Sequence, residues 1–534
     1  MKRKLLTALL CGALMLTSLA GCGQGAGNQS GTSAGGESAV KDELVFVNYR
    51  DIRDLNPHLY AGEMYAQSIL YDTLVSNTSE GYVGCLAEDW TISEDGRTYT
   101  FNIRDGVTFS DGTPCDANAI LANFNAILEN RERHTWLEMM NLLVGVSAPD
   151  DDTFVIEMSE PYYPMLTELA CIRPFAMISP NCMIDGSTKD GVNGYIGTGP
   201  YVLTDFVTDE YAVFKRNENY WGEKPAIRKI TVKVIPDNQT RIMALENGEI
   251  DLIFGKNMLD ADAISQYVDS DKFTVGLSDP TSTRHIVLNT THDILGDKSV
   301  RQALQHATNR QAISEGIFYG LEPAADTLYS TTVPYCDVDL EPYAYDADEA
   351  ARLLDEAGWT MGSDGVRAKN GQKLALDLLY NSDSVTEKTI SEYLQSEYLK
   401  LGISLNIHGE EEQSYRDNMK AGNFDMVFNI CWGMPYDPQS SLAAMRAPVY
   451  GDYAAQQGLE DKAEIDQAIT DILTSTDETK RQELYTFVLT RLHEDAVYIP
   501  LTFETNKALY TSDLKGVHFG TDQYDVDFAS MYFE

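Results

Sequence analysis

Strand-like and helix-like stretches alternate along nearly the whole chain, and this alternation narrows the possible folds more than any other feature. Runs rich in β-branched and aromatic residues occur at 43–47, 98–104, 154–158, 229–235, 250–254, 285–289, 374–380, 403–408, 426–430 and 497–503. Such residues suit a pleated, half-buried surface. Between these runs lie segments of helical period. After Asp116, the residues Ile120, Leu121, Phe124, Ile127 and Leu128 share one face. Asp346, Asp348 and Glu349 supply a cap and early acids to a second helix, which buries Leu353 and Leu354 and stops at Gly358. Tyr393, Leu394 and Leu401 lie on a third, ending at Gly402, and Leu484, Phe487, Val488 and Leu492 on a fourth. The pattern predicts an α/β architecture with mixed sheets. No repeat and no break of composition divides the body, so its lobes are expected to be discontinuous in sequence.

Composition then excludes whole classes of partner. Of 534 residues 43% are apolar, enough for more than one core. Asp and Glu number 82 against 40 Lys and Arg, a formal net charge of −42. Phosphate binding rests on excess positive charge, so no nucleic-acid partner is expected. Adhesion to anionic lipid through a basic surface is disfavoured for the same reason.

Lys2, Arg3 and Lys4 precede an apolar stretch that runs from Leu5 to about Leu19 and then Ala20-Gly21-Cys22. This reads as a secretory leader, 1–21, too short for a stable span. Its ending resembles a bacterial lipobox, which implies cleavage before Cys22 and lipid on that sulfur. Two acyl chains anchor firmly, at ~0.8 kcal/mol per buried methylene. Residues 22–41 are then a tether rich in Gly and Ser. The expected place is the extracytoplasmic face of a bacterial cell membrane. Cys85, Cys115, Cys171, Cys182, Cys336 and Cys431 show no metal-finger spacing. They read as scattered buried thiols, with Cys171 and Cys182 near enough in sequence to pair.

Signatures of catalysis are absent. There is no GxSxG elbow, HExxH, phosphate loop or calcium loop. No two of the eight histidines are spaced i, i+4. The acidic run Glu410-Glu411-Glu412 reads as a solvated face or a metal site. An extracellular hydrolase is permitted by the leader, but no activated nucleophile or acid–base pair is visible.

Several segments together resemble one family. LNPHLY at 55–60, WTISEDGRTYTF at 90–101, RDGVTFSDGTP at 104–114, IGTGPY at 196–201 and RNENYW at 216–221 are similar to the extracytoplasmic solute-binding proteins of ABC importers, in the dipeptide, oligopeptide and nickel family. The resemblance spans essentially the whole mature chain. NRERHTWLE at 130–138, YYP at 162–164, RPF at 173–175, WGMPYDP at 432–438 and RLHEDAVY at 491–498 are most similar to its nickel-binding branch. What this implies is a two-lobed periplasmic-binding-protein fold with a hinge, in which the ligand is enclosed between lobes. Lobe I would comprise 42–283 and 504–534, with a subdomain at about 76–220, and lobe II 284–503. The crossings would fall near 284–289 and 498–504.

The family also implies a cargo: nickel(II) inside a small carboxylate-bearing chelator such as histidine, delivered by a monomer to ABC permease transmembrane subunits. The guanidinium groups matching the chelator's carboxylates are Arg133 and Arg173, although ordinary ion pairing with Asp or Glu is open to both. Guanidinium presents a planar fork that suits a carboxylate. Trp136 and Trp432 match aromatic walls, with Trp136 on the face of Arg133 if that segment is helical. Met64, Tyr436 and Tyr450 match further lining positions. Peptide binders hold the α-ammonium with an Asp where this chain has Pro435, which disfavours the alternative of a di- or oligopeptide ligand. The nickel-ligating His of the branch falls at Tyr450, a poor nickel ligand. Either the chelator supplies nearly all donors, or His58 or His134 substitutes, or the cargo differs.

Overall fold

The backbone is organised by two long strands, Phe273–Leu288 and Tyr498–Thr511, which pair antiparallel along their length. In the computed structural model, which describes residues 41–78, 81–255, 258–431, 438–520 and 524–534, ten strands join one sheet around this ribbon. Cys22, Trp432, Pro435 and Tyr436 lie outside the described residues. On one side of the ribbon come Leu252–Phe254, Glu43–Asn48, Lys229–Val234, Tyr211–Arg216 and Tyr201–Val207. On the other come Met426–Cys431, Ala375–Asn381 and Ser404–Glu410. Glu43–Asn48 pairs parallel with Lys229–Val234, as Ala375–Asn381 does with Ser404–Glu410, so the sheet is mixed. The α/β architecture expected from the alternation is the one observed.

The ribbon is longer than its sequence signal. The run at 285–289 is the end of a strand that begins at Phe273, and the one at 497–503 continues to Thr511. Gly276, Ser278, Asp279 and Pro280 hide the first part, because each weakens a strand reading. The second part is hidden by Glu504, Thr505, Asn506 and Lys507, all buried. Partners on the neighbouring strands and loops make their burial tolerable. Glu504 pairs with Arg284 and accepts from the Ser282 hydroxyl, and Lys507 Nζ lies 3.2 Å from Glu322. The two stretches 284–289 and 498–504 lie opposite each other in this ribbon, Arg284 facing Thr502 and Val287 facing Tyr498.

A second, antiparallel sheet orders Ala87–Ile92, Thr98–Ile103, Thr153–Met158 and Leu143–Ser147. The helix Ala117–Glu129 lies on it, opened by the Asp116 carboxylate accepting from Ala119 N–H at 2.9 Å. The face read from the sequence is the buried one: Phe124 packs 4.8 Å from Phe154 and 5.9 Å from Phe175. This satellite body is what presents Arg133, Trp136 and Arg173.

Candidate functional site

The turn at 196–201 sets the position of the short helix Met64–Ser68. Gly199 and Tyr201 N–H donate to the carbonyls of Leu70 and Ile69 at 3.0 Å each, and the Thr198 hydroxyl to Asp72 at 2.7 Å. The turn runs so close to Leu70 that a side chain at 197 or 199 has no room. Met64 begins the helix, half-buried, and Gln67 follows one turn on, fully buried.

Gln67 holds Arg173. Its Oε1 accepts from Nη2 at 2.9 Å and from Nε at 3.3 Å, and the Gly62 carbonyl accepts a further bond from Nη2. Arg173 is 9% exposed. No ion pair joins it to a carboxylate of the described residues. Glu63 is engaged by Arg50 at 2.5 Å and by Asn48 at 3.2 Å, and acts on Arg173 only at a distance. Nη1 has no partner among the described residues. Burial therefore pulls the guanidinium below its usual range. A cation so placed is costly unless an anion joins it.

Tyr60, which the motif at 55–60 contains but sequence reasoning did not single out, gathers the other groups. Arg173 Cζ stands 5.7 Å from its ring centroid. Its hydroxyl accepts from the Trp136 indole N–H and lies 2.6 Å from His134 Nδ1. An indole nitrogen can only donate, and among the described residues Nδ1 is the one acceptor within reach of the phenol proton, so the proton is assigned to that bond. His134 is thereby the neutral tautomer with its proton on Nε2, a buried atom with no hydrogen-bond partner. Burial, then the Arg133 charge, lowers its pKa to about 4. Burial pushes the Tyr60 hydroxyl up to about 12.

His58 is also neutral and enclosed. Its Nε2 faces the Ala176 carbonyl at 3.2 Å and so carries the proton; Nδ1 faces the Thr188 hydroxyl at 3.0 Å. The one lone pair of each imidazole is thus engaged, by Thr188 for His58 and by Tyr60 for His134. The expectation that either could ligate a metal meets this obstacle in the structure. Burial lowers the pKa of His58 to about 3, so the unfolded chain binds a proton there that the folded one refuses. The contribution to stability is complete above about pH 6.5 and is lost as pH falls towards 3. At pH 5 the loss is roughly 2 kcal/mol. Denaturant midpoints measured from pH 8 to 5 are expected to fall for the native protein and to fall less for His58→Asn; parallel curves would refute the assignment.

Arg133 and Trp136 do not share an α-helix. Residues Arg131–His134 form a 3-10 turn, and Trp136 follows it, 46% exposed. Arg133 is exposed and pairs with none of the described residues. Both are tied to the Arg173 segment by a residue absent from the sequence reading, Glu168. Its buried carboxylate accepts from the N–H groups of Glu138 at 3.2 Å and Met139 at 3.0 Å, and from the Tyr162 hydroxyl at 2.5 Å. Tyr450, half-buried, precedes the helix Gly451–Gln456 in the other half. Two residues on, Asp452 is buried, bonded to Asn429 at 2.7 Å and pushed up to about 6 by burial. The described contacts join Arg173 and Trp136 through Tyr60, place Met64 on the helix whose Gln67 holds Arg173, and do not bring Tyr450 there.

Among the described residues no group of three or more His, Cys, Asp or Glu is placed to hold a metal. Glu410-Glu411-Glu412 is used locally, Glu411 capping the helix Glu412–Ala421 and Glu412 bonding Asn381 and Arg416. The six cysteines of the described residues, Cys171 and Cys182 included, are buried thiols. No helix among these residues is long and apolar enough to cross a membrane.

The sequence profile of the bacterial extracellular solute-binding proteins, family 5 Middle, matches residues 81–452. This chain belongs to that family. The nickel-binding periplasmic protein of Escherichia coli strain K12 is 41% identical over 499 residues, covering 92% of this chain and 95% of that one. The crystal structure of NikA from Brucella suis in complex with Fe(III)-EDTA superposes with a TM-score of 0.89 at 43% identity, over 92% of this chain and 100% of that chain. The dipeptide-binding protein of the same E. coli strain is 27% identical over 89% of this chain and 91% of its own. As a family 5 protein with this two-lobed fold, the chain is a solute-binding component of an ABC importer, extracytoplasmic and not an enzyme.

Proposed function

We propose that the protein captures nickel(II) already enclosed in a small carboxylate-bearing chelator, nickel–histidine being the representative case, and passes it to the transmembrane subunits of an ABC permease. The observation that carries this is Arg173: a buried guanidinium with an open Nη1, no carboxylate partner among the described residues, and an aromatic ring beside it. A chelator carboxylate is the anion that this position wants. The engaged lone pairs of His58 and His134 favour a cargo that brings its own donor atoms. A nickel-binding relative at 41% identity and a neighbour holding iron in a polycarboxylate chelate agree with that chemistry.

In this reading Arg133 and Arg173 grip the carboxylates, and Trp136 and Met64 line one wall. Trp432, Tyr436 and Tyr450 line the facing wall. The lobes are 42–283 with 504–534, and 284–503, and they hinge on the central ribbon. The body is a monomer held at the membrane by lipid on Cys22. Ligand contacts made to both lobes favour the closed arrangement by their differential affinity.

Titration calorimetry tests the cargo. Nickel with a twofold excess of histidine is expected to bind at least tenfold more tightly than nickel alone. Bare nickel binding as tightly as the mixture would refute the chelate, and a dipeptide outcompeting nickel–histidine would replace the cargo.

A further inference from the structure

The adjacent tyrosines 162 and 163 have different partners. Tyr162 bonds Glu168 and belongs to the body that carries Arg173. Tyr163 lies against the C-terminal half. Its N–H donates to the Leu473 carbonyl at 3.1 Å, and its hydroxyl donates to Glu478 Oε1 at 2.5 Å and stands 2.9 Å from the Tyr335 hydroxyl. Its ring centroid is 3.4 Å from Arg481 Cζ.

Arg481 explains why a tyrosine sits there. Its side chain is fully buried, and its bonds go to the Ile472 carbonyl and to Gln439 Oε1 at 3.2 Å. Its Nε has no hydrogen-bond partner, and no carboxylate of the described residues forms an ion pair with it. Aromatic faces supply the missing negative potential: Tyr163 at 3.4 Å, Tyr335 at 5.0 Å and Tyr485 at 5.8 Å, with Tyr335 stacked on Tyr485 at 4.8 Å and 5°. Three of these four groups belong to the C-terminal half. Arg481 and Tyr485 are on the helix Glu478–Glu494, which packs with Ile469 and Val427 in one core together with Tyr335 on its rim. Tyr163 is the visitor, coming from the segment between the strand Thr153–Met158 and the helix Met165–Leu169.

That segment leads directly to the pocket. The helix Met165–Leu169 carries Glu168, which fixes the Trp136 loop, and Arg173 follows it. A movement that seats Tyr163 on Arg481 therefore brings Arg173 and Trp136 towards the C-terminal half as one body.

We propose that Tyr163 is a closing latch: outside the ligand site, it stabilises the arrangement in which the two halves meet, and so sets how firmly ligand is retained. The effect on affinity rests on the capture reading above; the effect on closure does not. The latch is a positioning residue, acting through the halves and not on the ligand.

Small-angle X-ray scattering and calorimetry on the native protein, Tyr163→Phe and Tyr163→Ala test it. Without ligand, Tyr163→Ala is expected to have a larger radius of gyration than the native protein, and Tyr163→Phe, which keeps the ring on Arg481, to fall between. With nickel plus histidine as probe, Tyr163→Ala is expected to bind about tenfold more weakly, through faster dissociation, with most of the loss restored in Tyr163→Phe. Identical ligand-free scattering for Tyr163→Ala and the native protein would overturn the latch, whatever binds. Failure of the native protein to bind nickel–histidine would strike the cargo and leave the scattering comparison intact. If alanine prevents folding, Tyr163→Leu, which keeps apolar bulk without the π face and hydroxyl, makes the same comparison.

Discussion

Arg173→Ala is expected to weaken capture of nickel–histidine by roughly 2–5 kcal/mol, thirtyfold or more, while leaving the unliganded protein about as stable as before. The two halves of this expectation have opposite origins. With ligand present, the variant leaves a carboxylate buried without its partner, and that penalty is large. Without ligand, the native protein itself bears a buried cation with no acid paired to it among the described residues, and alanine removes that burden. Against this stand the lost bonds to Gln67 and the Gly62 carbonyl, about 1 kcal/mol each in net terms. Arg173→Lys keeps the charge and loses the fork, so its affinity should lie between. Calorimetry with nickel and histidine, paired with denaturant unfolding, reads both quantities. An affinity equal to the native one would remove Arg173 from the site. A stability loss as large as the affinity loss would make it a structural residue.

Gly197→Ala should be among the most damaging single-methyl changes in the molecule. A Cβ at 197 would lie 2.0 Å from the Leu70 carbonyl oxygen and 2.4 Å from Tyr71 Cδ1. The nearest atom is backbone, so it cannot swing away; the turn or the end of the helix Met64–Ser68 has to move. Overpacking of this kind costs about 3 kcal/mol or more. Because Gln67 sits on that helix and holds Arg173, the displacement should appear twice, as a lower denaturant midpoint and as weaker ligand binding. Native values for both would mean that the turn has room that its geometry denies.

The sequence was most legible where local chemistry and burial agree. Asp116 followed by a regular apolar face is a helix start by itself, and Phe124 packs as its spacing says. The turn at 196–201 was recognisable as a motif, but the reason for its glycines is a close approach to Leu70, a contact across more than a hundred residues that no local pattern displays. The central ribbon was underread because its polar residues look like loop until Arg284 and Glu322 are seen beside them. In the pocket, Arg173 and Trp136 were named from resemblance. Tyr60, Gln67 and Glu168 were not, since their significance lies in what they hold: a phenol, an amide and a carboxylate are ordinary until their partners are known. The histidines show the converse. Each is a plausible metal ligand by residue type, and only the neighbours at Thr188 and Tyr60 reveal that its lone pair is already engaged.

The long paired strands have a mechanical consequence. Each passes without interruption from one half of the sheet to the other, and their ladder slips register between Leu277 and Pro280, between Pro280 and Ser282, and between Arg284 and His285. Pulling the halves straight apart would mean unzipping both, whereas flexing at the slipped rungs leaves the remaining rungs intact. Such a joint is stiff to shear and soft to bending, so a jaw built on it reopens along the path by which it shut and meets its own teeth in register each time.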